Sequence, residues 1–354
     1  MPSLDDAPAP YASLTPDLVL DALASIGFVG DGRMLGLNSY ENRVYQVWIE
    51  GAGPLVAKFY RPERWSDAQI EEEHGFVFEL AEREIPVVPP LVAAKRSLHS
   101  FQDFRFAVYP RQSGRAPELA DSDTLQWIGR FIARIHAVGT LERFAARPAV
   151  DVDSFGHEPR SFLLDSEFLP PDLVAAYESV SAQALDGVMR CFDRAGDVAS
   201  LRLHGDCHAG NILWAEAGVA GAMQSGPHFV DFDDARNGPA IQDLWMLLSG
   251  ERGDQEQQLR EVLAGYEQFR AFDRRELNLV EGLRTLRLCT TRPGLPVAGT
   301  TRRFPRLFRG STPSVTGRTG SSNCANRSRS WTRRRSTSTE AHALRATVAV
   351  SRRA

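Results

Sequence analysis

Apolar residues along this chain follow two periods. Residues 15–26 carry Leu18, Leu20, Leu23 and Ile26 at helical spacing, with Thr15 placed to cap the N-terminus and Pro16 suited to the first turn. Gly27 or Gly30 ends that helix. Two β-rich runs follow, 44–49 and 55–60, on either side of Gly51-Ala52-Gly53, which predicts a hairpin. The polar loop Asn38-Ser39-Tyr40-Glu41-Asn42 opens the first run, and Lys58 lies inside the second. Helical spacing returns over 66–83, with Glu71, Glu72 and Glu73 forming an acidic face. Residues 85–93 are Pro-rich and extended, 104–109 read as a strand, and 110–116 as a loop.

Beyond that loop the period is mostly helical. Residues 121–141 form an amphipathic helix on Leu125, Ile128, Phe131, Ile132, Ile135 and Leu141, and 172–192 form another. A strand-rich first part followed by a helix-rich second part predicts two lobes joined near 109–114. The expected fold class is α+β, with the catalytic turns of the second lobe on a small sheet.

One stretch breaks the helical pattern. Residues 202–239 read RLHGDCHAGNILW and, after a Gly-containing break, FVDFDDARNGP. Acids and an amide stand on turns between apolar runs. Such groups repel one another unless a cation sits among them, and Mg²⁺, which takes hard oxygen ligands and shares them with phosphates, suits the set. Asp206 and Asn211 are five positions apart on one turn, and Asp231 comes from a separate strand end. A carboxylate that accepts a hydroxyl proton, with metal ligands beside it, is what phosphoryl transfer needs. Taken singly, these could be turn-forming Asx residues or a solvated acidic cluster.

Lys58 is one of two lysines in the chain, the other being Lys95. A compact ammonium on an apolar strand fits a phosphate pair, with Glu73 or Glu72 holding it in place. The alternative is an edge-strand lysine that reaches to water. His204, Cys207 and His208 lack the spacing and the fourth ligand of a zinc site, so the histidines read as hydrogen bonders that fix the loop. Asp243, in the apolar run DLWMLL, reads as a buried carboxylate that ties down the catalytic turn through backbone N–H groups.

Composition adds compartment and charge. The N-terminus has neither a basic nor an apolar signal region, and no run of about 18 apolar residues exists, so neither secretion nor a membrane span is expected. Cys191, Cys207, Cys289 and Cys324 form no CxxC pair, which favours a reduced cytoplasmic setting. The net charge of −4 conceals an asymmetry. Residues 289–354 hold 14 Arg and a single acid, Glu340, so that segment stands at +13 and the first 288 residues at −17.

The motif HGDxHxxN with a following strand Asp resembles phosphotransferases of the aminoglycoside-phosphotransferase and choline-kinase type, a branch of the protein-kinase-like fold. Longer stretches, LNSYENRVYQV, VAKFYRPERW, EEH, LRLHGDCHAGNILW and VDFDDARNGPAIQDLWMLL, resemble its bacterial stress-response serine/threonine protein kinases over about residues 13–288. The resemblance implies roles. Asp206 would be the catalytic base, and Asn211 and Asp231 would bind Mg²⁺. Lys58, with Glu73 as partner, would hold the ATP phosphates. Ser39 would lie beside those phosphates and be a candidate autophosphorylation site. The segment from Val108 to Arg111 would receive adenine. Two departures stand out: the phosphate-covering loop has no GxGxxG, and the metal motif is Asp-Phe-Asp rather than Asp-Phe-Gly.

The implied protein is a monomeric Mg·ATP-dependent kinase acting on protein hydroxyls, with no nucleic-acid partner. The alternatives are a kinase of small hydroxyl compounds and an inactive nucleotide-binding product. Domains are expected at 1–108 (nucleotide-binding lobe), 109–288 (catalytic lobe) and 289–354 (aberrant tail). The likeness stops at Leu288, where the family continues Tyr-x-Ala-Trp-Leu-x-Arg-Arg-Trp and then Asp-Pro-Ala-Phe-Pro. Permitted codons for residues 293–305, shifted by one nucleotide, encode AWLARRWDDPAFP. A frameshift near Leu288, real or from sequencing, is therefore the reading, and the Arg/Ser/Thr-rich tail is expected to be disordered.

Overall fold

A computed structural model describes residues 11–39, 41–166, 168–216 and 225–289. The call of a frameshifted tail at 289–354 lies outside these residues but for Cys289. Helix α1, Pro16–Ser25, begins where Thr15 accepts a hydrogen bond from the Leu18 N–H. It buries Val19, Ala22 and Leu23 completely, each large apolar side chain contributing about 1.5–3 kcal/mol. Strands β1 (Gly30–Leu37), β2 (Arg43–Ile49) and β3 (Gly53–Phe59) form a meander. Helix α2, Asp67–Glu82, starts with a capping box between Ser66 and Gln69. Strands β4 (His99–Phe101) and β5 (Phe104–Pro110) complete an antiparallel sheet of order β1-β2-β3-β5-β4.

β3 is therefore the central strand, hydrogen-bonded to β2 on one side and β5 on the other. Lys58 pairs with Val44 across one ladder and with Ala107 across the other. That position removes the edge-strand reading of this lysine. α1 packs on the sheet in one apolar cluster with Val47, Ala57, Phe59, Phe106 and Val108. The apolar residues of α2 do not join that cluster. Phe76, Val77 and Leu80 enter the core built by the second half of the chain. Ile70 of α2 packs instead with Tyr60, Trp65, Leu98 and Ala107 in a third, small cluster, so α2 ties the sheet to the second core.

The second half is helical. α3 (Ser122–Gly139) is capped by Asp121, and α4 (Glu158–Asp165) and α5 (Pro171–Ala195) follow. The short strands β6 (Leu201–Leu203), β7 (Ile212–Ala215), β8 (Gly226–Phe229) and β9 (Arg236–Gly238) form two antiparallel pairs, β6 with β9 and β7 with β8. Helices α6 (Ile241–Trp245), α7 (Arg252–Tyr266) and α8 (Val280–Cys289) close the described chain. α3 and α7 touch backbone to backbone. A Cβ on Gly129 would meet the Val262 carbonyl oxygen at 2.1 Å, and one on Gly265 would meet that of Gln126 at 2.0 Å. The two acid-bearing turns sit on two small ribbons rather than one sheet. Among the described residues no helix is long and apolar enough to cross a membrane.

Candidate active site

Two acidic turns lie back to back. The first leaves β6 at Leu203 and runs through His204, Gly205 and Asp206 to a 3₁₀ turn at Ala209–Asn211. The second leaves β8 through Val230 to Asp231 and a 3₁₀ turn at Phe232–Asp234. Gly205 takes a left-handed φ of 84°, and a Cβ there would sit 1.9 Å from the Asp234 carbonyl oxygen. The glycine of the HGD motif is what allows the two turns to touch. The Val230 N–H also donates to the Asn211 carbonyl at 3.0 Å.

The first turn is held by a carboxylate. Asp243, on α6 and fully buried, accepts from the backbone N–H groups of His204 and Gly205, each at 2.8 Å. This is the role read for it from sequence. His136 Nε2 lies 3.0 Å from Asp243 Oδ2, and His136 Nδ1 lies 3.0 Å from the Tyr266 hydroxyl. A carboxylate only accepts, so Nε2 carries the proton and Nδ1 receives the tyrosine hydroxyl. Burial lowers the His136 pKa, although Asp243 opposes it. His204 Nε2 donates to the Val230 carbonyl at 2.9 Å, and its Nδ1 accepts from the Asp206 N–H at 3.3 Å. His208 Nδ1 accepts from the Gly210 N–H. Both histidines fix the loop, as expected.

Asp206 presents its carboxylate beyond this mount. Asn211 Nδ2 donates to the Asp206 carbonyl at 3.0 Å. His208 Nε2 lies 3.5 Å from Asp206 Oδ2, and Arg287 Nη1, from α8, lies 2.7 Å from Oδ1. Burial pushes the Asp206 carboxyl up, but His208 and Arg287 outweigh it and hold the group well below the usual carboxylate range.

The second turn is held by cations. Asp231 adopts a left-handed backbone (φ 61°, ψ 62°), a strained conformation that Asp tolerates better than most residues. Its half-exposed carboxylate meets Lys58 Nζ at 2.8 Å. Lys58 also lies 3.3 Å from buried Asp233. Arg64 spans Asp233 and Asp234, at 2.5 and 2.9 Å, and Arg236 reaches Asp234 at 3.1 Å. Arg147 Nη1 donates to the carbonyls of Asp233 and Ala235. Burial pushes the Lys58 ammonium down, but Asp231 and Asp233 more than reverse this and hold it charged. Burial likewise raises the Asp233 carboxyl, while Lys58, Arg64 and Arg147 bring it far below its ordinary value.

The direct pair between Lys58 and Glu73 is not formed. Glu73 is buried on α2, and its ion-pair partner is Arg147 at 3.6 Å. Its Oε2 has no hydrogen bond, and burial raises its pKa to about 7. The physical reason lies in the Asp-Phe-Asp motif: Asp233 supplies a nearer carboxylate and takes the lysine. The acidic face read over Glu71 to Glu73 also divides. Glu71 is exposed, whereas Glu72 accepts the backbone N–H groups of Ala145, Ala146 and Arg147 and so joins α2 to that loop.

Other expected residues fall nearby with mixed outcomes. Ser39 is half-buried in the connection between β1 and β2. That connection is anchored by Asn42, whose Oδ1 accepts from the Arg61 N–H, and by Glu41, paired with Arg61 at 2.9 Å. Tyr40 lies outside the described residues. Val108 is wholly buried in the sheet core and its carbonyl accepts from the Leu91 N–H at 2.6 Å, so neither is open to adenine. The adenine call is corrected at that position. Arg111 is exposed at the end of β5, donates to Gln46 at 3.0 Å and contacts Ser113. Sequence reasoning assigned no role to Arg64, Arg147 or Arg287. No local pattern marks them, because each meets its partner only through tertiary packing.

The profile of the phosphotransferase enzyme family matches residues 35–280. The serine/threonine protein kinase RdoA of Salmonella typhimurium is 42% identical over 285 residues, covering 80% of this chain and 84% of that protein. Stress response kinase A of Escherichia coli K12 is 42% identical over 278 residues, covering 78% and 81%. Among solved structures, amicoumacin kinase hAmiN in complex with AMP-PNP, Ca²⁺ and Ami superposes with a TM-score of 0.62 at 20% identity, covering 76% of this chain and 82% of that one. A microcompartment-associated aminopropanol kinase gives 0.57 at 18% identity, covering 77% and 86%. These two likenesses concern the fold.

Proposed function

Because this chain belongs to the phosphotransferase enzyme family, we propose that it transfers the γ-phosphoryl group of ATP to serine or threonine hydroxyls of proteins, as a stress-response kinase. The observation that supports the reading is the pair of abutting turns, one carrying Asp206 and the other Asp231, with Lys58 of β3 lying 2.8 Å from Asp231. Identity of 42% to two bacterial kinases over most of both chains supports the protein acceptor.

Asp206 orients the acceptor hydroxyl and takes its proton as the new O–P bond forms. The bond from the γ-phosphorus to the β,γ-bridging oxygen breaks, and ADP leaves with that electron pair. Asn211 and Asp231 are the residues that would hold Mg²⁺. The donor set fits a hard cation: the Asp231 carboxylate is half-exposed, and the Asn211 amide uses its Nδ2 on the Asp206 carbonyl and keeps its Oδ1 as an oxygen donor. Mg²⁺ there would neutralise phosphate charge. Lys58 trades its carboxylate partners for the phosphates, and Glu73 acts on it at a distance, as a buried carboxylate behind the cluster. Ser39 would lie beside the phosphates, and the backbone from Tyr109 to Arg111 would receive adenine.

Incubation of the purified chain with Mg·ATP, protein substrates and a panel of small alcohols tests the reading, with Asp206→Ala beside it. Label in protein that vanishes in the variant is the expected result. Label confined to a small product would make this a small-molecule kinase, and equal null turnover in both chains would make it inactive. The frameshift proposed from sequence places the same assay on a frame-restored chain, which is expected to turn over faster than the chain as written.

A further inference from the structure

The strand register sets the β1–β2 connection level with Lys58. Leu37 pairs with Val44, and Val44 pairs in turn with Lys58 on β3. The stretch between them, 38–43, therefore leaves and re-enters the sheet beside the lysine. It reads NSYENR and holds no glycine. Glycine is what lets a loop bring its backbone freely against a ligand. Without it, the place of this connection has to be set by contacts from elsewhere.

Those contacts come from two residues outside the connection. The Tyr11 hydroxyl donates to the Glu41 carbonyl at 3.1 Å and lies 3.3 Å from the carbonyl of Phe59, the residue after Lys58. Burial raises the Tyr11 pKa, so the hydroxyl keeps the proton it donates. The Tyr11 ring is stacked on Phe104 at 6.3 Å, and the Arg43 guanidinium lies over it at 4.6 Å. Arg61, just past the end of β3, meets the connection twice. Its N–H donates to Oδ1 of buried Asn42 at 3.1 Å, and its guanidinium pairs with Glu41 at 2.9 Å. Phe59 and Arg61 both belong to the run that carries Lys58. The second half of the connection is thus fastened to the lysine's own strand.

We propose that Tyr11 and Arg61 are positioning residues for the phosphates of ATP: they fasten the 38–43 connection to the strand that carries Lys58, so that connection and lysine meet the nucleotide as one preset surface. The proposal rests on that connection covering the phosphates. Presetting lowers the cost of ordering the loop on binding. Arg61 adds a second effect, because it neutralises Glu41, a carboxylate that would otherwise repel the phosphates.

Affinities for Mg·ATP and for adenosine test this, measured by isothermal titration on the full chain, on Tyr11→Phe, on Arg61→Gln, and on Arg61→Gln combined with Glu41→Gln. The KM values for ATP and for the protein acceptor are measured beside them. Tyr11→Phe keeps the ring and removes only the hydroxyl. It should weaken Mg·ATP by about fivefold, the size of one hydrogen bond, and leave adenosine within about twofold. The loss should appear in the KM for ATP and not in that for the acceptor. Arg61→Gln should weaken Mg·ATP by about tenfold with as small a change for adenosine, and adding Glu41→Gln should recover about threefold of the loss. Equal losses for Mg·ATP and adenosine overturn the inference, because they mark a general loosening of the sheet. Unchanged Mg·ATP affinity in either single variant overturns it too. If Tyr11→Phe does not fold, Arg61→Gln still decides, since it acts on the same connection through different contacts. Failure of the nucleotide reading looks different: the full chain itself then binds Mg·ATP no more tightly than adenosine.

Discussion

The two acidic turns have been stabilised in opposite ways. In the first, a buried carboxylate, Asp243, holds the backbone through the N–H groups of His204 and Gly205, and His136 and Tyr266 hold Asp243 in turn. In the second, the backbone is strained at Asp231, and side-chain charge does the holding through Lys58, Arg64, Arg147 and Arg236. The first mount is complete without a ligand and comes wholly from the helical half. The second depends on Lys58 and Arg64 from the other half of the molecule, and the Lys58 contact with Asp231 is one that a bound nucleotide and its metal would replace. Geometry is preset at the turn that carries Asp206, while charge at the turn that carries Asp231 is held in exchangeable form.

The most severe test of this division is substitution of the two acids themselves. Asp206→Ala is expected to lower kcat on the order of a thousandfold while leaving ATP affinity within about twofold. Asp231→Ala is expected to cost at least as much turnover, but with loss of Mg²⁺-dependent nucleotide binding. Isothermal titration with Mg·ATP beside steady-state kinetics separates them. If both variants bind Mg·ATP alike, the turns do not divide the work in this way.

Stability gives the next contrast. Asp243→Ala strands two backbone N–H groups and His136 in a dry core, so it should cost about 3–5 kcal/mol in urea unfolding. Arg64→Ala leaves Asp233 to Lys58 and Asp234 to Arg236, and should cost roughly 1–3 kcal/mol. The reverse order would show that cations, not the Asp243 mount, carry the stability of the site.

Much of this contrast could be read before the fold was known, and the part that could not has a physical cause. A cap at Thr15 and steady helical spacing made α1, α2 and α3 legible to within a residue or two. Strand β1 escaped because GDGRMLGL alternates poorly and is largely exposed; its partner β2 defines it, not its own pattern. The first turn was readable down to Asp243, since Asp206, Asn211 and Asp243 lie within about forty positions of one another. The second was readable only in its acids. Its cations arrive from residues 58, 64 and 147, and an arginine in an arginine-rich chain carries no local sign of its partner. The Asp-Phe-Asp departure was visible in sequence. Its consequence, that Asp233 draws Lys58 from Glu73, required the distances.

Acidity distinguishes the turns further. Asp233 has a carboxyl held far below its ordinary value, because Lys58, Arg64 and Arg147 outweigh burial. A depressed carboxylate stabilises the fold fully above its unfolded pKa, and that contribution is lost as pH falls. The second turn should therefore loosen below about pH 4, the unfolded carboxylate range. Urea midpoints from pH 6 to pH 3 should fall less steeply in Asp233→Asn than in the parent. Parallel slopes would remove Asp233 as the cause.

The smallest effect has the opposite sign and belongs to the first turn. Glu276 Oε2 accepts the Ile241 N–H at 2.8 Å, at the start of the short helix that carries Asp243. Burial raises its pKa from 4.5 to about 7, with the Ile241 hydrogen bond opposing the shift. The folded state then keeps a proton that the unfolded chain releases above about 4.5. Stability should decline as pH rises from 4.5 towards 7, with the full cost present above 7. Glu73, also raised to about 7, adds to the same slope, so removing one group should flatten the decline without abolishing it. Glu276→Gln keeps an oxygen for the Ile241 N–H and cannot ionise. It should melt a few degrees above the parent at pH 8 and together with it near pH 4.5. A constant offset at every pH would trace the change to packing instead, and the mount of the first turn would then be insensitive to charge at its base.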